Sequence, residues 1–190
     1  NHPLVGQSPY AASKIAADQL ALSYYKSFNL PVKIVRPFNT YGTRQSSRAV
    51  IPTIIGQCIA GTSNVKLGSL DPTRDLTFVK DTCSAFLEIY KSDDFIGEVT
   101  NIGMNSEVSI KDLACEIMKI MEVDLPIVTD LQRVRPKNSE VERLVCDNSK
   151  LLKQTSWKSK YTLEQGITEV IEWLKNPENL NMYKARYYNV

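Results

Sequence analysis

An α/β fold is what this sequence predicts, and three observations carry the prediction. Short β-branched runs at 32–35, 65–67, 98–102 and 126–129 alternate with segments whose apolar residues recur at helical spacing. Cap and breaker residues stand where one kind of segment gives way to the other. No internal repeat, low-complexity stretch or linker interrupts the alternation.

The elements follow in order. Pro3, Gly6 and Pro9 make residues 1–9 a loop. Ser8-Pro9 opens a helix over 10–28, a serine cap with proline in the first turn, and Asn29-Leu30-Pro31 ends it. Ala11, Ala12, Ala16, Ala17 and Ala21 give this helix a small-residue surface suited to close packing on a neighbour or a second subunit. A strand at 32–35 leads into residues 36–47, which have a loop's composition. Ile51, Ile54, Ile55, Cys58 and Ile59 form the stripe of a helix over 48–60 that Gly61 stops. A strand at 65–67, a turn at Asp71-Pro72 and an extended segment at 75–79 precede a helix capped by Asp81, with Ala85, Phe86, Ile89 and Tyr90 apolar. After the strand at 98–102, Ser109 and Asp112 start a helix with Ile110, Leu113, Ala114, Ile117, Ile120 and Met121 on one face. A strand at 126–129 and a basic loop with Arg133, Arg135 and Lys137 follow. Thr162 and Gln165 form a capping box for the last helix, which Asn176-Pro177 closes, and residues 178–190 show no pattern.

With 190 residues the chain forms one fair-sized domain or parts of two. A net charge of +2 gives no bulk attraction to nucleic acid or membrane, and no apolar run nears the roughly 20 residues that span a bilayer. Cys58, Cys83, Cys115 and Cys146 make no C-x-x-C pair, and His2 is the single histidine, which leaves too few ligands for zinc. The cysteines read as reduced thiols of a cytoplasmic protein, Cys58, Cys83 and Cys115 as buried ones within helices. One histidine in a terminal loop also argues against a Ser-His-Asp or Cys-His mechanism. The first residue is Asn1 rather than Met, so a processed, tagged or truncated start is expected.

Tyr10 and Lys14 lie four apart, on one helix face a turn apart. An ammonium held near a phenol favours phenolate, which equips a tyrosine to take or return a hydroxyl proton. Alone, the pair is equally an ordinary helix surface. Its context is Ser8-Pro9-Tyr10-x-x-Ser13-Lys14, then Arg36-Pro37-Phe38-Asn39-Thr40-Tyr41-Gly42, then Arg74-Asp75-Leu76-Thr77-Phe78-Val79-Lys80-Asp81. That order and spacing resembles the extended short-chain dehydrogenase/reductases, the NAD-dependent epimerases and dehydratases of sugar nucleotides. Arg135-Pro136, Asp147-x-Ser149-Lys150-Leu151 and Trp157 fit the same family's C-terminal pattern, so the likeness spans about residues 3–175. Pro3-Leu4-x-Gly6-Gln7-Ser8-Pro9-Tyr10 and Arg44-Gln45-Ser46-x-Arg48-Ala49 look most like the legionaminic-acid-pathway 4,6-dehydratases, which act on nucleotide-linked N-acetylglucosamine.

The resemblance implies the C-terminal portion of a Rossmann domain plus a small α/β substrate-binding subdomain. Residues 1–49 would be the Rossmann segment with the Tyr-x-x-x-Lys helix, 50–175 mainly the substrate subdomain with some returning Rossmann elements, and 176–190 a tail. The glycines at 6, 42, 56, 61, 68, 97, 103 and 166 never form the family's G-x-x-G-x-x-G turn, where a helix amino end receives the NAD pyrophosphate. The family's catalytic Ser/Thr and the dehydratases' Asp-Glu pair, both expected upstream of the tyrosine, are also outside this sequence. The chain is therefore expected to be a C-terminal part that binds NAD weakly or not at all by itself.

By the same resemblance Tyr10 is the base at the sugar 4-hydroxyl and Lys14 the residue on the nicotinamide ribose, with Pro37 and Asn39 also at the cofactor. Asn39, Arg74, Arg135 and Arg48 would bind the nucleotide-diphospho-sugar, whose diphosphate suits arginine. Arg36 suits a salt bridge as well as a ligand contact, and Arg44, Arg48 and Arg143 suit anion contacts or solvent. Asp75 and Asp81 are expected to orient groups or cap helices. Thr43 stands where the family turn has proline, which leaves that loop looser. The leading expectation is a 4,6-dehydratase part that is inactive alone. The alternatives are a 4-epimerase of the same family and a non-catalytic binding or oligomerisation module. A homo-oligomer is expected, since half a Rossmann sheet leaves an unpaired edge. The segment 65–70, where the base would sit, gives no reading of which nucleotide or sugar is bound.

Overall fold

The computed structural model describes residues 4–134 and 140–183; His2, Pro3, Arg135, Pro136, Lys137 and the end of the tail, 184–190, lie outside the described residues. The expected α/β alternation is present. Helix α1 (Pro9–Phe28) is capped by Ser8, whose Oγ accepts from Ala11 N at 3.1 Å. It ends on Asn29, at φ 53°, a left-handed residue of the kind that closes helices. Among the described residues its small-residue surface is touched closely by Gly6 at Ala12, and no α1 residue is buried. Two side-chain contacts help to hold it. Asp18 pairs with Arg36 Nε at 2.7 Å, so Arg36 is a structural ion-pair partner. Tyr25 lies on Gly97, where a Cβ would come within 2.1 Å of the ring and φ is +74°. Gly97→Ala is expected to cost about 1–3 kcal/mol in urea unfolding, from left-handed backbone strain plus the ring clash.

Residues 36–47 are not one loop. Strand β1 (Ile34–Pro37) and strand β2 (Asn39–Tyr41) lie end to end there, and each pairs in parallel with a distant partner. β1 pairs with β6 (Val99–Ile102), Ile34 opposite Val99; β2 pairs with β5 (Leu76–Phe78), Asn39 opposite Leu76. Parallel pairing needs long crossovers, so a local composition reading cannot see it. Helix α2 (Val50–Ile59) buries Ile51, Ile54, Ile55 and Cys58, four of the five expected stripe residues. Strand β3 (Val65–Leu67) pairs in parallel with β8 (Ile127–Thr129). Strand β4 (Thr73–Arg74) sits between β7 (Val108–Ser109), antiparallel, and β9 (Arg143–Leu144), parallel.

Helix α3 (Val79–Lys91) starts on Phe78, with no side-chain cap. Asp81 is therefore not the cap but a buried residue of the first turn. Its carboxylate accepts from Ser159 Oγ at 2.7 Å, Lys160 N at 2.9 Å and Tyr161 N at 3.1 Å. On α3, Ala85 and Ile89 are buried, whereas Phe86, Tyr90 and Cys83 are exposed. Helix α4 (Ile110–Ile120) is capped by Ser109 as expected and buries Leu113, Ala114, Ile117 and Met118, leaving Cys115 exposed. Two short helices were not legible in the pattern, α5 (Ser149–Gln154) and α7 (Pro177–Asn181). Between them, α6 (Leu163–Lys175) carries the full capping box of Thr162 and Gln165.

Two hydrophobic cores result. The larger joins α2, α4 and α6 through Ile54, Ile55, Leu113, Ile117, Ile167 and Ile171. The smaller gathers Ala85, Ile89, Phe95, Ile102, Leu151 and Trp157. Trp157 Nε1 donates to Asp81 O at 3.2 Å and Ser84 Oγ at 2.9 Å, so the segment that Asp81 holds links the two. No helix among the described residues is long and apolar enough to cross a membrane.

Candidate functional site

A cleft of about 420 Å³ opens between the start of β2, the start of α2 and the β4 region. Asn39, Gln45, Arg48, Arg74, Arg133 and Glu140 supply its polar wall; Val50, Ile51, Leu67 and Ile110 are among its apolar residues. The local chain explains the placement. Asn39 stands at the first position of β2, at the bend where β1 hands over to β2. Arg48 precedes α2, in a turn that Arg44 reaches with φ 64°. Gln45 Nε2 donates to Thr40 O at 3.1 Å, while its buried Oε1 has no partner among the described residues. The Gln45 carbonyl accepts the Tyr183 hydroxyl at 2.6 Å, which ties the cleft wall to the last described residue.

Arg74 is held by three hydrogen bonds. Its Nη1 donates to Thr73 O at 2.8 Å and Val141 O at 2.6 Å, and its Nη2 to Glu140 Oε1 at 2.7 Å. Arg133 Nε lies 3.0 Å from Asp130 Oδ2. The Asp130 carboxyl is held below the usual carboxylate range chiefly by the Gln132 backbone N–H, with the Arg133 guanidinium adding to it. The Arg48 side chain has no hydrogen bond or ion pair among the described residues, and it is exposed.

Of the expected site residues, Asn39, Arg48 and Arg74 converge on this cleft, whereas Tyr10, Lys14 and Pro37 do not line it. Arg135 lies outside the described residues. Pro37 ends β1 opposite Ile102, exposed and two residues before Asn39. Tyr10, in the first turn of α1, is 72% exposed, with Lys14 Nζ 5.5 Å from its ring centre. The motif's other tyrosine behaves oppositely. Tyr41 is buried, donates to Leu163 O at 3.2 Å, and is pushed far above its ordinary pKa by burial and by the charges of Asp81 and Glu169. Tyr41 is a neutral framework phenol, which leaves Tyr10 as the motif tyrosine within reach of a ligand.

Arg143 is engaged elsewhere, with Nε 2.9 Å and Nη2 2.7 Å from Glu107 Oε1. Asp75 orients rather than binds: its carboxylate accepts Met104 N at 2.8 Å and Cys146 N at 3.0 Å. Burial, with the Asp75 and Asp147 charges, pushes the Cys146 thiol up to about 12, so it is no nucleophile. Sequence reading missed Glu140 and Gln45. Recognising 143–144 as a strand beside Thr73 and Arg74 would have brought Glu140 to Arg74.

The chain is similar to known proteins over most of its length. A family model described as GDP-mannose 4,6 dehydratase matches residues 1–170. A dTDP-glucose 4,6-dehydratase of Xanthomonas campestris is 30% identical over 177 residues, covering 90% of this chain and 50% of that protein. The human dTDP-D-glucose 4,6-dehydratase is 31% identical, over 93% of this chain and 50% of its own. Among solved structures, dTDP-glucose 4,6-dehydratase of Bacillus anthracis in complex with NAD superposes with a TM-score of 0.81 at 33% identity, covering 93% of this chain and 55% of that one. UDP-glucuronic acid 4-epimerase of Bacillus cereus, in complex with UDP-glucuronic acid and NAD, gives 0.81 at 25% identity, over 90% and 54%. The chain spans about half the length of the curated relatives it matches.

Proposed function

We propose, from the premise that this chain belongs to the GDP-mannose 4,6-dehydratase family of NAD-dependent epimerases and dehydratases, that its cleft binds a nucleotide-diphospho-sugar and that Tyr10 and Lys14 serve 4,6-dehydration of that sugar. One observation carries the reading: Asn39, Arg48 and Arg74, separated by up to 35 residues in sequence, line one cleft. Guanidinium groups and an amide beside apolar walls suit a diphosphate with a base and sugar at its ends.

The exposed Tyr10 phenol with Lys14 beside it suits the nicotinamide ribose and the reacting sugar hydroxyl, and Pro37, which ends β1, and Asn39, which opens β2, are taken as the further cofactor contacts. NAD, when bound, supplies hydride uptake and return. Tyr10 then takes the proton of the 4-hydroxyl as hydride departs, with the Lys14 ammonium 5.5 Å from its ring centre. In this reading 1–49 is a Rossmann segment, 50–175 mainly the substrate subdomain and 176–190 a tail. N-acetylhexosamine as the sugar is supported by the 3–10 and 44–49 motifs alone. A 4-epimerase reading shares Tyr10, Lys14 and the cleft, and an Asp-Glu pair beside the catalytic Ser/Thr would separate the two. We take the protein to work in the cytoplasm and as a homo-oligomer, with α1 and the free edges of the β1–β6 pair as the surfaces that need cover.

Calorimetry tests the assignment. The 190-residue chain is expected to bind a nucleoside diphosphate such as UDP, dTDP, GDP or CDP measurably, and NAD at least about a hundredfold more weakly than NAD-binding enzymes do, because the glycine turn that receives the pyrophosphate is not in this sequence. Tight NAD binding without nucleoside diphosphate binding would reverse the reading.

A further inference from the structure

Arg74 carries a counter-ion of its own, and that changes how the cleft meets an anion. Of its five N–H donors, both on Nη1 are used by the Thr73 and Val141 carbonyls and one on Nη2 by Glu140. The Arg74 and Glu140 side chains are only 13% and 14% exposed, so solvent screens their attraction little. Glu140 Oε1 also accepts its neighbour's Val141 N at 3.1 Å, which fixes the carboxylate against the guanidinium. Both residues line the cleft. The Glu140 charge therefore faces any diphosphate that approaches Arg74. Arg48, which lines the same cleft just before α2, has no such partner among the described residues.

We propose that Glu140 is a built-in competitor that shields Arg74, so that Arg48 makes the first contact with a diphosphate and Arg74 engages it only against the opposition of Glu140. The proposal rests on the reading of the cleft as a nucleotide-diphosphate site and adds a specificity role for a residue outside the expected set. A neutral ligand meets no opposition from Glu140. The pair thus weakens binding of anions selectively and makes their affinity sensitive to one carboxylate. It also keeps Arg74 fixed in place, since an unpaired half-buried guanidinium would be costly.

Titration calorimetry on the 190-residue chain tests this with UDP, dTDP, GDP and CDP and with the nucleoside of whichever binds tightest. Glu140→Gln keeps the side-chain shape and an oxygen for Val141 N and Arg74. It is expected to tighten the diphosphate about tenfold, leave the nucleoside unchanged and steepen the dependence of diphosphate affinity on salt. Glu140→Ala is expected to shift diphosphate affinity the same way, so a folding failure in one variant leaves the other to decide. Diphosphate binding that is unchanged or weaker in the variants overturns the shielding role while the cleft assignment stands. A tightening that includes the nucleoside equally overturns it too, because the effect would then be structural. If neither the parent nor the variants bind any of the four diphosphates, the cleft assignment itself falls and the proposal falls with it.

Discussion

Replacing Asp81 with alanine is expected to lower the unfolding free energy by about 3–5 kcal/mol, a large part of the roughly 5–15 kcal/mol that holds a domain of this size. The carboxylate is 1% exposed and accepts three hydrogen bonds from Ser159, Lys160 and Tyr161, about eighty residues away in sequence. Bonds to a charged acceptor are worth more than neutral ones, and truncation would strand two backbone donors in a half-buried segment. Asp81→Asn keeps one acceptor oxygen but brings a donor where only acceptors are wanted, so an intermediate loss is expected. Urea unfolding followed by Trp157 fluorescence reads both, since the indole donates to the same turn of α3. A loss below about 1 kcal/mol for the alanine variant would mean that water replaces the carboxylate at this junction.

On the proposed 4,6-dehydratase reading, Tyr10→Phe is expected to lower any sugar-nucleotide turnover that a protein including this chain supports by about 10²–10⁴-fold, with KM nearly unchanged. The variant keeps the ring that Lys14 Nζ approaches to 5.5 Å and deletes only the hydroxyl proposed to move the proton. The phenol is 72% exposed and no protein group depends on its hydroxyl among the described residues, so stability should not fall with activity. Steady-state kinetics beside a thermal melt separates the two. Retained turnover would remove Tyr10 from the chemistry and return the pair to an ordinary helix surface.

Sequence reading succeeded where information is local. Ser8-Pro9 and the Thr162/Gln165 box locate their helices because a cap and its acceptor lie within a turn. Strand β3 was legible because alternation within three residues buries Val65 and Leu67 and exposes Lys66. Failures came where the deciding partner is remote. Asn39–Tyr41 reads as loop between Pro37 and Gly42 until Leu76–Phe78 is laid beside it. Asp81 reads as a cap because nothing nearby reveals three donors arriving from 159–161. The candidate site divides likewise. Asn39, Arg48 and Arg74 were recognisable as motif residues, but the ion pair to Glu140, 66 positions away, belongs to the fold and not to any motif.

The hydrogen bond from Tyr183 to Gln45 spans 138 residues, and it sets the order in which the protein can be finished. At about 5–20 residues per second, synthesis separates the two partners by about 7–28 s. For that interval the nascent chain holds the helix with Tyr10 and Lys14, whose backbone hydrogen bonds and Ser8 cap are local, but not a secured wall for the cleft. Long-range closures of this kind raise contact order and slow folding relative to a helical bundle of equal length. Helix α1 is thus among the first parts able to form, and the cleft wall that Gln45 supplies is among the last to be secured.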